Sequence, residues 1–385
     1  MENKRQKIEI ADIFRDVADE FLNANKLCPE QKKAFEAIIN CRTSVMGGNV
    51  HCCNNCGHKS QSYNSCRNRH CPKCQYLKQL KWVDKLAANL PPTKYFHVVF
   101  TIPHSLNKLF YLNQANAYKL LFKAAGNALI QTVANPDFLG AEAGAVGILH
   151  TWGQNLSYHP HIHMIVPAGG PTDDMEEWLN SNKKFFVPVK VLSKIFRGIL
   201  YRLLEEAVDN ENIILPDNID DIKTLKDKCY QKNWVVYCEK PLSNSQSLIN
   251  YLGNYTHRVA ISNHRIIDYS NGKVKFYYKN YRQAGKKCII ELPVNEFIRR
   301  FLQHILPKRF CKIRYFGFMA LCNMKTKLAT CLELIAKPTF LPTLEGLSAL
   351  EVIRDTIGKD LLICPKCKSG KMLLNKEQIK VPVFV

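Results

Sequence analysis

From Cys41 to Gln75 the chain carries Cys, Asn, Gly, His and Arg where a folding segment would need apolar residues, and the hydrophobic periodicity of its flanks stops there. Burial alone cannot order such a stretch, so a bound metal is the obvious agent. Two knuckles stand in it, Cys53-x2-Cys56 and Cys71-x2-Cys74. Each C-x2-C turn brings two thiolates together, and two such turns complete a tetrahedral S4 zinc site. Cys52, Cys66, His51, His58 and His70 lie within reach as alternative ligands. Arg67 and Arg69 stand between Cys66 and Cys71, where a metal would hold them rigid, and rigid guanidinium groups suit phosphate or base contacts. A further pair, Cys364-x2-Cys367, reads as a lone CxxC, with Cys322 and Cys331 as weak partners for a second zinc.

Around this module the pattern is ordinary and mixed. Ile10, Ile13, Phe14, Val17 and Phe21 recur at helical spacing, and a second helix starts at Pro29. A short helix through Leu80, Trp82 and Leu86 leads to Pro91-Pro92, a boundary signal. Tyr95–Ile102 is a buried strand by its aromatic and β-branched content, followed by a helix from Leu106 to Val133. Val146–Leu149 and His161–Val166 are further strands, and an acidic loop (Asp173, Asp174, Glu176, Glu177) follows. Helices are expected over 189–208 and 245–256. A hairpin joins 259–268 to 273–279 through Asn271-Gly272, and a basic, helical tail begins at Phe297. The mixture is α+β. Three regions follow: 1–90 with the zinc module, 91–300 with the strands, and 301–385 with the lone CxxC.

The net charge of +21 points to a polyanionic partner, because lysines and arginines that meet phosphates release counterions. No apolar signal segment opens the chain and no run suffices to span a bilayer, so it reads as a cytoplasmic protein with no membrane partner, its 16 cysteines reduced and available to metal. No Gly-x4-Gly-Lys-Ser/Thr loop occurs, which excludes an ATP-driven motor within this chain.

His159-Pro-His-Ile-His163 is the sharpest chemical signal. Alternate residues of a strand face one side, so His161 and His163 present two imidazoles together with His159 at the edge. Such a pair holds a divalent ion with positions left open for substrate oxygens. Gln154, seven residues before His161, is the favoured third ligand and His159 its competitor. Tyr251 and Tyr255 lie four apart on an expected helix and share a face. Spacing alone reads as packing with Leu248 and Leu252. Beside a histidine pair and a basic background, the two hydroxyls become nucleophiles toward phosphodiesters. Arg258, Arg265 and Arg282, with Tyr277 and Tyr278, can grip and stack single-stranded DNA.

With these stretches in hand the chain resembles the two-tyrosine HUH (His-hydrophobe-His) transposases of rolling-circle insertion sequences, the IS91 type. The resemblance rests on Ser65–Gln75, His97–His104, Gly147–Gln154, His159–His163, Tyr251–Ser262 and Arg314–Ala320, in family order. It implies an antiparallel sheet flanked by helices, with the histidines on a central strand, preceded by a helical and Cys-rich zinc domain. It also implies His161 and His163 as ligands of Mg²⁺ or Mn²⁺, Tyr251 and Tyr255 as nucleophiles, and a structural Zn²⁺ on the N-terminal cysteines. The substrate would be single-stranded DNA at mobile-element ends, nicked and transferred through a 5′-phosphotyrosine, with strand separation left to host helicases or to hairpin extrusion. A replication initiator or relaxase of the same chemistry, a histidine-triad nucleotide hydrolase and a non-catalytic zinc-dependent DNA-binding protein are the competing readings.

Overall fold

The computed structural model describes residues 8–379 except 182–186, 218, 220, 232–233, 235, 239–259, 281–282, 284 and 337–341. The expected tyrosine helix, with Tyr251, Tyr255 and Arg258, lies outside the described residues, as does Arg282.

The N-terminal periodicity folds as α1 (Ile10–Asp16) and α2 (Ala18–Ala24), with a break at Val17, and α3 (Pro29–Asn40) carries its proline at the first helical position. A hairpin of β1 (Gly48–Cys53) and β2 (Lys59–Tyr63) follows, then α4 (Tyr76–Ala88).

The next segment supplies most of the main sheet: β3 (Tyr95–Thr101), α5 (Asn107–Leu112), α6 (Gln114–Ala134), β4 (Gly144–Trp152) and β5 (Tyr158–Pro167). The small pair β6 (Gly169–Pro171) and β7 (Trp178–Asn180) precedes α7 (Val189–Asp209), α8 (Ile222–Tyr230) and β8 (Val236–Cys238). The single helix expected over 106–133 is broken at Asn113, whose side chain bonds Leu109 O and both backbone groups of Ile214. An asparagine amide offers the backbone partners that compete with helix continuation.

The hairpin is β9 (Ile266–Ser270) and β10 (Lys273–Asn280), extended by an unforeseen third strand, β11 (Lys286–Pro293). Asn271 and Gly272 both have positive φ at its turn, as a type I′ hairpin requires. The tail is less helical than its composition suggests. α9 (Val294–Leu302) leads to β12 (Ile313–Gly317), then α10 (Lys327–Leu334), α11 (Ala349–Ile357) and β13 (Met372–Ile379).

The main sheet is antiparallel throughout in the order β12-β4-β5-β3-β8, so the histidine strand β5 is central. Alternation gives it two unlike faces. Phe96, Val98, Phe100, Leu149, Ile162, Met164 and Val166 point toward α5 to α8 and form the largest core. On the other face Tyr95, Val146, Ile148 and Ile165 pack with Leu86, Phe318, Met319 and Leu328. Farther along the same strands that face turns from aliphatic to imidazole.

A third core joins distant parts of the chain. Phe14, Phe35 and Ile38 of the N-terminal helices pack with Val274, Phe276, Phe297, Ile298 and Phe301. Phe14 stacks on Phe35 and meets the edge of Phe301, with ring centroids 5.1 and 5.2 Å apart. The helices at the start of the chain are therefore built onto the β9–β11 sheet and α9.

Candidate metal centres

β4 and β5 set His150 directly opposite His161. His163 lies two residues on, opposite Ile148 on one side and Val99 on the other. Period-two alternation puts all three imidazoles on one face, and one ring nitrogen of each lies within 4.8 Å of the others. Strand spacing in the sequence points to two of this trio, His161 and His163. His150 was missed, although it sits in the Gly147–Gln154 stretch. Its signal was strand parity with Val146 and Ile148, which becomes a position in space only once β4 pairs with β5.

The surroundings fix how the rings present themselves. Nδ1 of His161 lies 2.6 Å from its acceptor, the His159 carbonyl. Nδ1 of His163 shares a 2.8 Å hydrogen bond with Nε2 of His97, the two ring centroids lying 5.0 Å apart. Such outer contacts select the tautomer of a ligand histidine. Burial, reinforced by His159, pushes the His161 imidazole down to about 3. Burial, with His150 and His161 adding to it, takes His163 well below its ordinary range. Both rings are neutral at neutral pH, the form that donates a lone pair to a metal.

Gln154 is not one of the trio. It occupies the turn between β4 and β5, and three side chains from the β9–α9 region hold that turn by its carbonyls. Arg265 donates to Gln154 O, Arg300 to Asn155 O at 3.2 Å, and Gln303 to Leu156 O at 2.8 Å. Arg265 also donates to Tyr277 O at 2.7 Å. Expected to grip DNA, Arg265 is engaged in joining two chain segments.

The cysteines sort differently from the expected single S4 site. Cys71 and Cys74 converge with Cys41 and Cys66, whereas Cys53 and Cys56 converge with Cys364 and Cys367. The reason is the β1–β2 hairpin: Cys53 and Cys56 sit at its tip, while Cys41 precedes its base and Cys66 follows it. Extended strands keep tip and base apart, so the two knuckles cannot share one ion. In the base cluster Cys74 Sγ is 3.3 Å from Cys41 Sγ and 3.6 Å from Cys66 Sγ. Hydrogen bonds from the Cys66 and Cys71 thiols pull Cys74 far below an ordinary thiol. A zinc ion with sulfurs at roughly 2.3 Å in a tetrahedron sets them about 3.8 Å apart, so the residues fit the metal. Of the sequence alternatives only Cys66 joins a cluster, and Cys322 and Cys331 join neither.

Comparison with known proteins places a zinc-binding domain in the N-terminal part of the chain. A family model described as "Transposase zinc-binding domain", of the IS91 type, matches residues 13–102, and one described as "Putative transposase" matches residues 144–327. The "Putative transposase y4qJ" of Sinorhizobium fredii (strain NBRC 101917 / NGR234) is 39% identical over 379 residues, covering 95% of this chain and 94% of its own. The chain belongs to the IS91 family of transposases. The "Transposase for insertion sequence element IS801" of Pseudomonas savastanoi pv. phaseolicola is 31% identical over 288 residues, 74% of this chain and 68% of its own. No solved structure matches the transposase.

The family match to a transposase makes DNA its substrate, and it puts the two arginines of the zinc module in a new light. Arg67 is exposed in the loop that enters the base cluster, with φ +53°. Arg69 instead donates to the carbonyls of Phe310 at 2.6 Å, Pro307 at 2.7 Å and Leu306 at 3.2 Å. Arg69, expected as a DNA contact, thus forms a clasp between the zinc module and the loop ahead of β12, where it satisfies turn carbonyls that need a donor.

Proposed function

We propose that this transposase nicks and rejoins single-stranded DNA by rolling-circle chemistry, with imidazole ligands for a divalent ion and tyrosine as nucleophile. The convergence of His150, His161 and His163 on the central strands carries the reading. His161 and His163 each have Nδ1 engaged, by the His159 carbonyl and by His97, which supports a reading in which Nε2 of each would face the metal. Gln154, in the turn beside them, is proposed as a further oxygen ligand. A bound Mg²⁺ or Mn²⁺ would supply Lewis-acid polarisation of the scissile phosphate and neutralise charge on its non-bridging oxygens.

Tyr251 or Tyr255 attacks the phosphorus in line. The tyrosine O–P bond forms as the P–O3′ bond breaks, which leaves a 5′-phosphotyrosine and a 3′-hydroxyl. The phosphotyrosine keeps the bond energy, and attack by a second 3′-hydroxyl rejoins the strand. Two tyrosines allow one strand end to be held while another is cut. Arg67 and Arg258 supply phosphate contacts, and strand opening falls to host helicases because the chain has no P-loop.

The test uses single-stranded element ends with Mg²⁺ or Mn²⁺. A covalent adduct should form and map to Tyr251 or Tyr255. H161A/H163A should lose cleavage by at least about a hundredfold while DNA affinity stays nearly unchanged, since phosphate contacts carry binding and the metal serves chemistry. Cleavage that survives chelation, or an adduct on any other residue, overturns the mechanism.

A further inference from the structure

The structure assigns the last strand of the chain to the zinc-binding domain: we infer that Cys53, Cys56, Cys364 and Cys367 bind a second zinc ion, which fastens the C-terminal end of the transposase to its N-terminal hairpin. All four sulfurs lie within 4.8 Å of one another. Across the joint, Cys53 Sγ is 3.6 Å from Cys367 Sγ and Cys56 Sγ is 3.7 Å from Cys364 Sγ. Those separations fit the roughly 3.8 Å of a tetrahedral zinc–sulfur site and are far too long for the about 2.05 Å of a disulfide.

In each knuckle one sulfur accepts from backbone N–H groups that follow it in the chain. The backbone N–H groups of Asn55 and Cys56 donate to Cys53 Sγ at 3.4 and 3.5 Å, and that of Gly370 donates to Cys367 Sγ at 3.3 Å. Donors of this kind stabilise thiolate over thiol. The approach is close: a Cβ on Gly370 would stand 2.4 Å from Cys53 Sγ.

Besides the metal ligands the joint is held by backbone pairing and by polar contacts of Asn54 with Lys371 and of Asn55 with Ser369. β13 pairs with β1 from Cys53↔Met372 to Gly48↔Ile379. Apart from the cysteines, Met372 is the one residue of the local apolar cluster among the described residues, and β2 is exposed along most of its length. A three-stranded sheet with so little buried apolar surface is marginal in water, so the metal must supply much of its order. The hairpin is then pinned twice, by Cys53 and Cys56 at its tip and by Cys41 and Cys66 at its base. The matched zinc-binding segment, 13–102, contains one complete ligand set and half of another. Residues 364–379 complete it. This inference is independent of the tyrosine chemistry.

Metal counting and thiol mapping on the full-length protein test it. The wild type should carry two zinc ions by native mass spectrometry, and C364S/C367S and C53S/C56S one each. Cys28, Cys56, Cys311 and Cys322 are exposed, yet in the wild type Cys56 alone of these four should resist rapid alkylation. A chelator should release Cys53, Cys56, Cys364 and Cys367 together. With a protease site placed after α11 at Gly358-Lys359, the cut C-terminal piece should co-elute with the body in zinc and separate in C364S/C367S. One zinc in the wild type, rapid alkylation of Cys56, or a cut piece retained equally in C364S/C367S overturns the inference. The alkylation map decides the matter even if the serine variants fail to fold.

Discussion

His97 shows how much of a metal centre lies outside its ligands. Its Nε2 engages His163 Nδ1 at 2.8 Å with the two ring planes parallel to within 3°. Outer partners of this kind are worth roughly 10–100-fold in metal affinity. H97A should therefore raise the metal concentration for half-maximal cleavage by about that factor, with activity recovering as metal is added. An unchanged metal midpoint would remove His97 from the site. Imidazole is a softer donor than the oxygens Mg²⁺ prefers, so a three-histidine set should cleave better with Mn²⁺ than with Mg²⁺ at equal concentration. The tyrosine test also belongs at this scale. Phenylalanine keeps the ring and deletes the hydroxyl, so Y251F/Y255F should fold, hold zinc and bind DNA yet form no adduct. Adduct formation by that double variant would refute the nucleophile assignment.

At the level of elements, the face of the main sheet away from the histidines depends on one aromatic slot. Phe316 of β12 lies between α6 and β4. A Cβ on Gly126 would come within 2.4 Å of its ring, and one on Gly147 within 2.9 Å. These two glycines let helix, ring and strand approach closely where β12 pairs with β4 at the edge of the sheet. G126V should force Phe316 out and lower stability by about 1–3 kcal/mol, the usual cost of overpacking a tight core. Equilibrium denaturation measures it, and an unchanged midpoint would show the slot to be dispensable. The imidazoles should be less affected, because they project from the opposite face.

For the whole molecule, charge and connectivity matter more than any one contact. A net charge of +21 predicts DNA binding dominated by counterion release. Between 50 and 200 mM salt the affinity should fall by about 10³–10⁵ if 6–10 phosphates are met. Affinity flat across that range would locate binding in base contacts instead. Among the described residues no helix is long and apolar enough to cross a membrane. The first and last parts of the chain meet repeatedly. α1 to α3 share a core with the segment around α9, Arg69 bridges to the loop ahead of β12, and β13 completes the β1–β2 sheet. Long-range closure of this kind orders late in folding, so chelation should loosen both ends together. Limited proteolysis after chelation should cut 41–75 and 360–379 in parallel, and cutting confined to one of them would contradict the joint.

Local chemistry written in the sequence carried far. The alternation of His161 and His163 with apolar residues, the Asn271-Gly272 turn and the apolar stripes of the N-terminal helices each specify a local conformation, because strand parity, positive φ and helical period act over a few residues. Cysteine spacing announced metal for the same reason, since a C-x2-C turn is a local object. Which turns share an ion was not local. Cys53 meets Cys367 across 314 residues only because β13 pairs with β1, and His150 joins the other imidazoles only because β4 lies beside β5 in one register. Arg69 and Arg265 read as free cations until folding brought carbonyls to them. Sequence determined which side chains could bind metal or phosphate. Tertiary structure alone decided their partners, because coordination and hydrogen bonding depend on separations of a few ångströms that strand pairing and packing set.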